Sequence, residues 1–170
     1  MQLAKSAFYE SVNVLNETMG RKEKEITGKK EIESILQRAE VCRIALSDNN
    51  TPYVIPVSFG YKNNCLYFHS AVEGKKIEIL KKNNKVCFEV EYDISLLNAE
   101  KICNWGMKYC SVVGFGRAHF INSIDEKRRA MDTIIAHYTP TSFEYADNKL
   151  KNIAVIRIEI ESITGRKSGC

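Results

Sequence analysis

The feature that most constrains the fold of this chain is a close succession of short strand-like segments separated by turn residues. Residues 41–46, 53–61 and 65–69 each have the pattern of a strand, and the turn-forming residues 47–50 and 62–64 lie between them. Connections this short favour antiparallel pairing over strand–helix–strand units. We therefore predict a mainly β fold, an antiparallel barrel with flanking helices.

The rest of the pattern completes a set of six strands and three helices. Further strands are predicted at residues 85–92, 109–121 and 153–163, and helices at residues 30–38, 74–82 and 124–138. Pro56 has no amide hydrogen, so its strand is expected at an edge or a bulge. Gly114 and Gly116 lie inside a strand, where they indicate a sharp bend or a close backbone approach. Residues 93–107 are predicted to be a connection.

The length of the chain is that of a single domain. Its 170 residues, 44% of them hydrophobic, suffice for one domain with a core. We predict an N-terminal appendage over residues 1–20, one domain over residues 21–165 and a tail over residues 166–170. No apolar run is long enough for a membrane helix, and residues 1–20 lack the apolar region of a secretory signal. We therefore expect a cytoplasmic protein without a membrane partner.

The charge pattern argues against a nucleic-acid partner. The net charge is +4, and charges of both signs alternate along most of the chain. Proteins that bind polynucleotides usually concentrate Lys and Arg on one stripe. Five lysines do fall within residues 75–85, and a small phosphorylated ligand explains part of this excess more simply. The cysteines and histidines lack the spacing of zinc motifs, so no metal site is expected.

One segment combines several groups that suit an anion. Residues 67–76 end a strand, turn, and open a helix at Gly74 with Lys75 and Lys76 in its first turn. A helix N-terminus presents unpaired N–H groups and a positive dipole end, which disfavours lysine unless an anion is bound. His69 and Ser70 precede the turn and can add hydrogen bonds. The segment predicts a phosphate site, and the alternative is a surface helix with solvated lysines.

Four motifs in order resemble the flavin-binding core of the pyridoxamine 5′-phosphate oxidase superfamily, in particular its nitroimidazole-resistance branch. They are residues 54–61 (VIPVSFGY), 66–71 (LYFHSA), 73–76 (EGKK) and 103–116 (CNWGMKYCSVVGFG). The resemblance implies a six-stranded antiparallel FMN-binding split barrel. It also implies a homodimer with FMN at the subunit interface.

The same resemblance implies roles for individual residues. One strand corresponds to the segment whose backbone binds the pyrimidine edge of the flavin: Val54, Ile55, Pro56, Val57, Ser58 and Phe59. The other implied cofactor contacts are His69 and Ser70 near the ribityl-phosphate arm, Lys75 and Lys76 on the phosphate, and Ser111. We expect the acceptor pocket to be shaped by His69, Trp105 and Tyr109. Trp105 either covers the ring of the partner's cofactor or anchors its own loop.

The resemblance further implies a flavin-dependent oxidoreductase that passes hydride or electrons to a small acceptor such as a nitroimidazole. A reduced nicotinamide or flavin would be the donor. Val54 stands where the oxidases have an arginine, and their C-terminal arginine-rich substrate motif is missing, which argues against oxidation of pyridoxamine phosphate itself. Two alternatives stay open, a non-catalytic flavin- or haem-binding protein and a β-barrel interaction module without a cofactor.

Overall fold

The structure is a computed structural model that describes residues 22–169. Its elements in chain order are β1 (Glu25–Ile26), α1 (Lys29–Arg38), β2 (Cys42–Asp48), β3 (Thr51–Val57), β4 (Phe59–Lys62), β5 (Cys65–Ala71), α2 (Lys75–Lys82), β6 (Lys85–Leu97), β7 (Gly106–Ile121), α3 (Ile124–Tyr138), α4 (Asp147–Lys151) and β8 (Ile153–Ser168). Single 3-10 turns occur at Lys22–Lys24 and Ile102–Asn104. The appendage predicted for residues 1–20 lies outside the described residues.

The strands form one antiparallel sheet in the order β3-β2-β6-β7-β8-β5-β4, and β1 pairs with β8 outside this series. Only Ser58 separates β3 from β4. Because β3 and β4, the two ends of the series, follow each other in sequence, the sheet curls into a barrel that stays unpaired between these two strands. This split barrel confirms the predicted fold class. Eight strands replace the predicted six because β3 and β4 divide one predicted strand and β1 adds a two-residue pair.

The core fills the barrel with the inward-facing side chains of its strands. Phe59, Phe68 and Phe88 are among its largest fully buried side chains, and Leu36 and Ile77 add the apolar faces of α1 and α2. Full burial of such a side chain contributes about 1.5–3 kcal/mol. A second, smaller cluster packs α3 and α4 against β8. The helices are therefore fixed to the barrel by apolar contact.

Two glycines let the backbone approach other groups closely. A Cβ on Gly116 would lie 2.2 Å from the carbonyl oxygen of Glu159, where the register between β7 and β8 shifts. This confirms the close approach predicted for that strand. A Cβ on Gly60 would lie 2.4 Å from the carbonyl oxygen of Thr133. Gly60 therefore allows α3 to lie directly on β4.

Both ends of the segment predicted as a connection are strand. β6 continues to Leu97 and β7 begins at Gly106, so residues 95–97 pair with residues 106–108 in a hairpin arm. The register shifts between Tyr92 and Ser95, where Asp93 has a φ of 58°. The prediction of a connection is therefore wrong for residues 93–97 and 106–107, because cross-strand pairing orders residues whose own pattern does not signal a strand. Residues 98–105 do connect the two strands.

The C-terminal strand is also longer than predicted. β8 reaches Ser168 rather than residue 163, because Arg166 pairs with β1 and Ser168 pairs with β7. Residues 166–168 are therefore strand, not the predicted tail. The short helix α4 was not predicted. Within residues 22–169, no helix is both long enough and apolar enough to cross a membrane.

Candidate functional site

The strand expected to bind the flavin lies at an open edge of the sheet. β3 pairs with β2 on one side and with no other described strand, which satisfies the edge position expected for Pro56. Ile55 and Val57 are 8% exposed and point into the core, whereas Val54 is 58% exposed. Alternate peptide groups of an edge strand face away from its partner. β3 therefore offers backbone donors and acceptors to a flat polar ligand.

Ser58 marks the point where the chain leaves β3 and enters β4. The ladder between β4 and β5 pairs Phe59 with Phe68. Continuing that register by one residue brings Ser58 opposite His69. The Phe59 side chain is buried, and its N–H donates to the hydroxyl of Tyr138 at 2.9 Å. The end of the expected flavin strand and the histidine expected near it thus lie together.

The first turn of α2 has the features of an anion site. Gly74 precedes it at a φ of 115°, and no side chain caps the helix. The carbonyl oxygen of Gly74 accepts from the N–H groups of Ile77 and Glu78 at 2.9 and 3.1 Å. The N–H groups of Lys75 and Lys76 have no acceptor among the described residues. Free N–H groups and two ammonium groups therefore meet at one helix end.

Side chains from two strands approach these lysines. The Lys75 ammonium lies 4.7 Å from the centroid of the Tyr53 ring, near the start of β3. Burial lowers the pKa of His69 below 6.5, and the nearby Lys76 ammonium lowers it further. His69 is therefore neutral at physiological pH and can both donate and accept a hydrogen bond. Ser70 is buried, and its side chain lies on the opposite face of β5 from His69.

The remaining expected site residues lie elsewhere in the chain. Ser111 pairs with Arg166 of β8, whereas His69 pairs with Val155 of the same strand. These two positions are separated by roughly 35 Å of strand at about 3.3 Å per residue. Tyr109 lies still further along β7, opposite Ser168. The described chain therefore does not bring Ser111 and Tyr109 to His69.

Trp105 lies at the arm, between the 3-10 turn and β7. Its indole N–H donates to the carbonyl oxygen of Ala99 at 2.9 Å, and the side chain is exposed. The hydrogen bond fits the alternative in which Trp105 anchors its own loop. Because the ring is exposed, contact with a partner's cofactor stays a prediction.

Two tyrosines near the site were not predicted from the sequence. Tyr53 reaches Lys75 because β3 lies near the start of α2 in the folded chain. Tyr138 ends α3, and its hydroxyl also donates to the carbonyl oxygen of Glu40 at 2.8 Å. Both contacts join segments that are distant in sequence. No local motif signals them.

A cavity of about 830 Å³ lies apart from this site, between α3 and the outer side of β4 and β5. None of the predicted site residues lines it. Its wall carries charges of both signs, so its charge favours no single class of ligand: the cations Lys62, Arg129 and Arg157 and the carboxylates Glu126 and Asp132. The described part of the chain contains no group of His, Cys, Asp and Glu suited to a metal ion.

Comparisons with known proteins identify the family and the fold of this chain. The sequence model of the family described as pyridoxamine 5′-phosphate oxidase matches residues 28–167. A solved structure from Bacteroides thetaiotaomicron, described as a candidate 5-nitroimidazole antibiotic resistance protein, is 38% identical. The match covers 83% of this chain and 84% of that chain with a TM-score of 0.75.

The other matches are more distant. An FAD-binding protein from Mesorhizobium loti is 25% identical, with 84% of this chain and 96% of that chain covered and a TM-score of 0.62. A flavocytochrome from Azotobacter vinelandii has a TM-score of 0.78 at 18% identity, over 91% of this chain and 74% of its own. An uncharacterised protein of Rhizobium meliloti (strain 1021) is 25% identical over 65 residues, which span 38% of this chain and 42% of that relative.

The family match extends over most of the chain and includes both β3 and the start of α2. The solved relative from Bacteroides adds 38% identity over a similar share of both chains. Together with the split barrel, these matches show that the chain belongs to the pyridoxamine 5′-phosphate oxidase family.

Proposed function

We propose that this chain binds FMN along β3, with the phosphate of the cofactor on the first turn of α2. The observation that carries the proposal is the convergence of an open strand edge with an uncapped helix start that bears Lys75 and Lys76. Backbone groups of residues 54–58 would bind the polar edge of the ring system. The free N–H groups and ammonium groups of the two lysines would bind the phosphate. Two lysines on one turn match the charge of a single phosphate monoester.

The protein's own contribution to the chemistry is binding and orientation. When bound, the flavin supplies hydride and electron transfer. Val54 and Pro56 present apolar surface on the exposed side of β3, where a flat ring can pack. Neutral His69 can donate or accept a hydrogen bond to a small molecule above that ring. We propose a small electron acceptor as substrate, with nitroimidazoles among the candidates, and a reduced nicotinamide or flavin as donor.

We further propose that the functional form is a homodimer with FMN at the interface. Ser111 is expected at the cofactor and Tyr109 at the acceptor pocket, yet both lie on β7, far from the position of His69 along the paired strand β8. A second copy could supply them. The hairpin arm also exposes several apolar side chains, and contiguous exposed apolar surface often marks an interface. These side chains are Ile94, Leu96, Leu97, Ile102, Trp105 and Met107.

The phosphate contact is tested by comparing FMN with riboflavin, which has the same ring system and no phosphate. The wild type should bind FMN far more tightly than riboflavin. Lys75→Ala/Lys76→Ala should lose most of this preference while its riboflavin affinity stays unchanged. The matched control is Lys81→Ala/Lys82→Ala, which removes two exposed lysines from the last turn of the same helix. Equal losses in both double variants would contradict the site and indicate a general charge effect.

Turnover and assembly are tested separately. Protein loaded with FMN should oxidise NADH, NADPH or reduced flavin when a nitroimidazole is present. Saturable FMN binding without turnover by any donor and acceptor would favour the non-catalytic flavoprotein, and a Soret band would favour the haem-binding form. Sedimentation should give twice the 19.4 kDa mass of one chain. A monomer that binds FMN at full affinity would refute the shared site.

A further inference from the structure

We propose that Tyr138 is a positioning residue for the strand that carries the cofactor, because its hydroxyl fixes the peptide between Ser58 and Phe59. This inference rests on the proposed FMN site. At Ser58 the chain changes its sheet partner, from β2 to β5. Backbone N–H groups at such a change of partner strand need hydrogen-bond acceptors outside the sheet. The Phe59 N–H finds its acceptor in Tyr138.

The Tyr138 hydroxyl joins three parts of the fold. It accepts from the Phe59 N–H at 2.9 Å and donates to the carbonyl oxygen of Glu40 at 2.8 Å. Tyr138 is itself the last residue of α3. One hydroxyl therefore links the break in the flavin strand, the segment between α1 and β2, and the end of a helix.

The neighbouring histidine strengthens this link. The ring of His137 lies 4.4 Å from the ring of Phe59, and its Nε2 lies 2.7 Å from the carbonyl oxygen of Ala39. The helix that carries both residues is in turn held on the sheet at Gly60, where its backbone touches β4. The position of the 58–59 peptide is thus set by α3.

This arrangement determines which backbone groups between β3 and β4 are available to bind a ligand. The Phe59 N–H is occupied by Tyr138, and the Phe59 side chain is buried in the core. The exposed residue at the break is Ser58, which the strand register places opposite His69. Loss of the Tyr138 hydroxyl would free the 58–59 peptide to rotate. The ring edge of the cofactor and His69 would then lose their mutual alignment without any loss of a direct contact from Tyr138.

The test is Tyr138→Phe, which removes one oxygen atom and keeps the ring. The matched control is Tyr145→Phe, because the Tyr145 hydroxyl is buried without a hydrogen-bond partner among the described residues. Three quantities are measured: hydrogen exchange of the Phe59 amide, FMN affinity, and the absorption spectrum and reduction potential of the bound flavin. Tyr138→Phe should speed exchange at Phe59 and shift the spectrum and potential. It should weaken FMN binding about fivefold, because ordering the freed 58–59 peptide on binding costs about as much as that one hydrogen bond contributed.

Each outcome decides the inference. The control should match the wild type in all three quantities. Faster Phe59 exchange with unchanged affinity, spectrum and potential would overturn the positioning role, because the bond would then serve the fold alone. A wild type that does not bind FMN would refute the proposed function, and this inference with it. If Tyr138→Phe does not fold, Tyr138→Leu takes its place, because it also removes the hydroxyl from this exposed side chain, and unchanged FMN binding in that variant would overturn the inference.

Discussion

Replacement of Gly60 by alanine should push α3 away from the barrel. The new Cβ would lie 2.4 Å from the carbonyl oxygen of Thr133 and 2.8 Å from the backbone nitrogen of Ile134. Ordinary contact begins near 3.4 Å, so the helix must move by about 1 Å, the difference between that distance and 2.4 Å. Both obstructing atoms belong to the helix backbone, so no side-chain rotation can relieve the overlap.

The magnitude follows from this geometry. Overpacking of a well-packed site costs about 1–3 kcal/mol, and an obstruction by backbone belongs at the upper end of that range. For a chain of this size, a loss of about 3 kcal/mol lowers Tm by roughly 6–12 °C. Because α3 carries Tyr138, the displaced helix should also weaken FMN binding at temperatures where the variant is still folded. Thermal and urea unfolding of the FMN-free protein measure the first effect.

Gly106→Ala is the matched control for this prediction. A Cβ at Gly106 meets no atom within 4 Å, so its effect should stay within about 0.5 kcal/mol. If Gly60→Ala unfolds at the same temperature as Gly106→Ala, α3 does not rest on β4 as described. The proposed control of Ser58 by α3 would then also lose its basis.

Four other tests address the site and the core. NMR titration should give His69 a pKa below 6.5, and Lys76→Ala should raise it only in part because burial is the larger cause; a full return to 6.5 would contradict this. Because the folded state protonates His69 less readily than the unfolded state, the free energy of unfolding should be constant with respect to His69 above pH 6.5 and should fall as the pH drops towards the folded pKa. The same pH dependence in His69→Asn would refute this. Gly74→Ala should cost about 1–3 kcal/mol in urea unfolding, because its φ of 115° strains any side chain, and an unchanged midpoint would contradict that strain. Brief alkylation followed by mass spectrometry should find exposed Cys103 modified before Cys42, whose thiol pKa burial raises; equal rates would disprove this.

Much of the barrel could be predicted from local pattern. The alternation of β8 around Ile156 and Ile158 and the helical spacing of α3 are properties of the segments themselves. The helix α3 has the predicted bounds, and β8 begins where predicted but continues to Ser168. The group formed by His69 and Lys76 was also predictable, because a single short turn connects the end of β5 to the start of α2.

The remaining features depend on pairing and contacts between segments that are distant in sequence, which a local sequence pattern does not indicate. The break at Ser58 exists because the chain pairs first with β2 and then with β5. The hairpin arm follows from pairing between the ends of β6 and β7. The contacts of Tyr53 with Lys75 and of Tyr138 with Phe59 each join distant segments. Such contacts become visible only when the sheet order is known.

The most direct test of the central claim is a titration of the purified protein with FMN, followed by the absorption spectrum of the flavin. We expect saturable changes in the visible flavin bands with one FMN bound per chain. A spectrum that stays that of free FMN at every protein concentration would contradict the claim, and the chain would then be a split barrel of this family that does not use FMN.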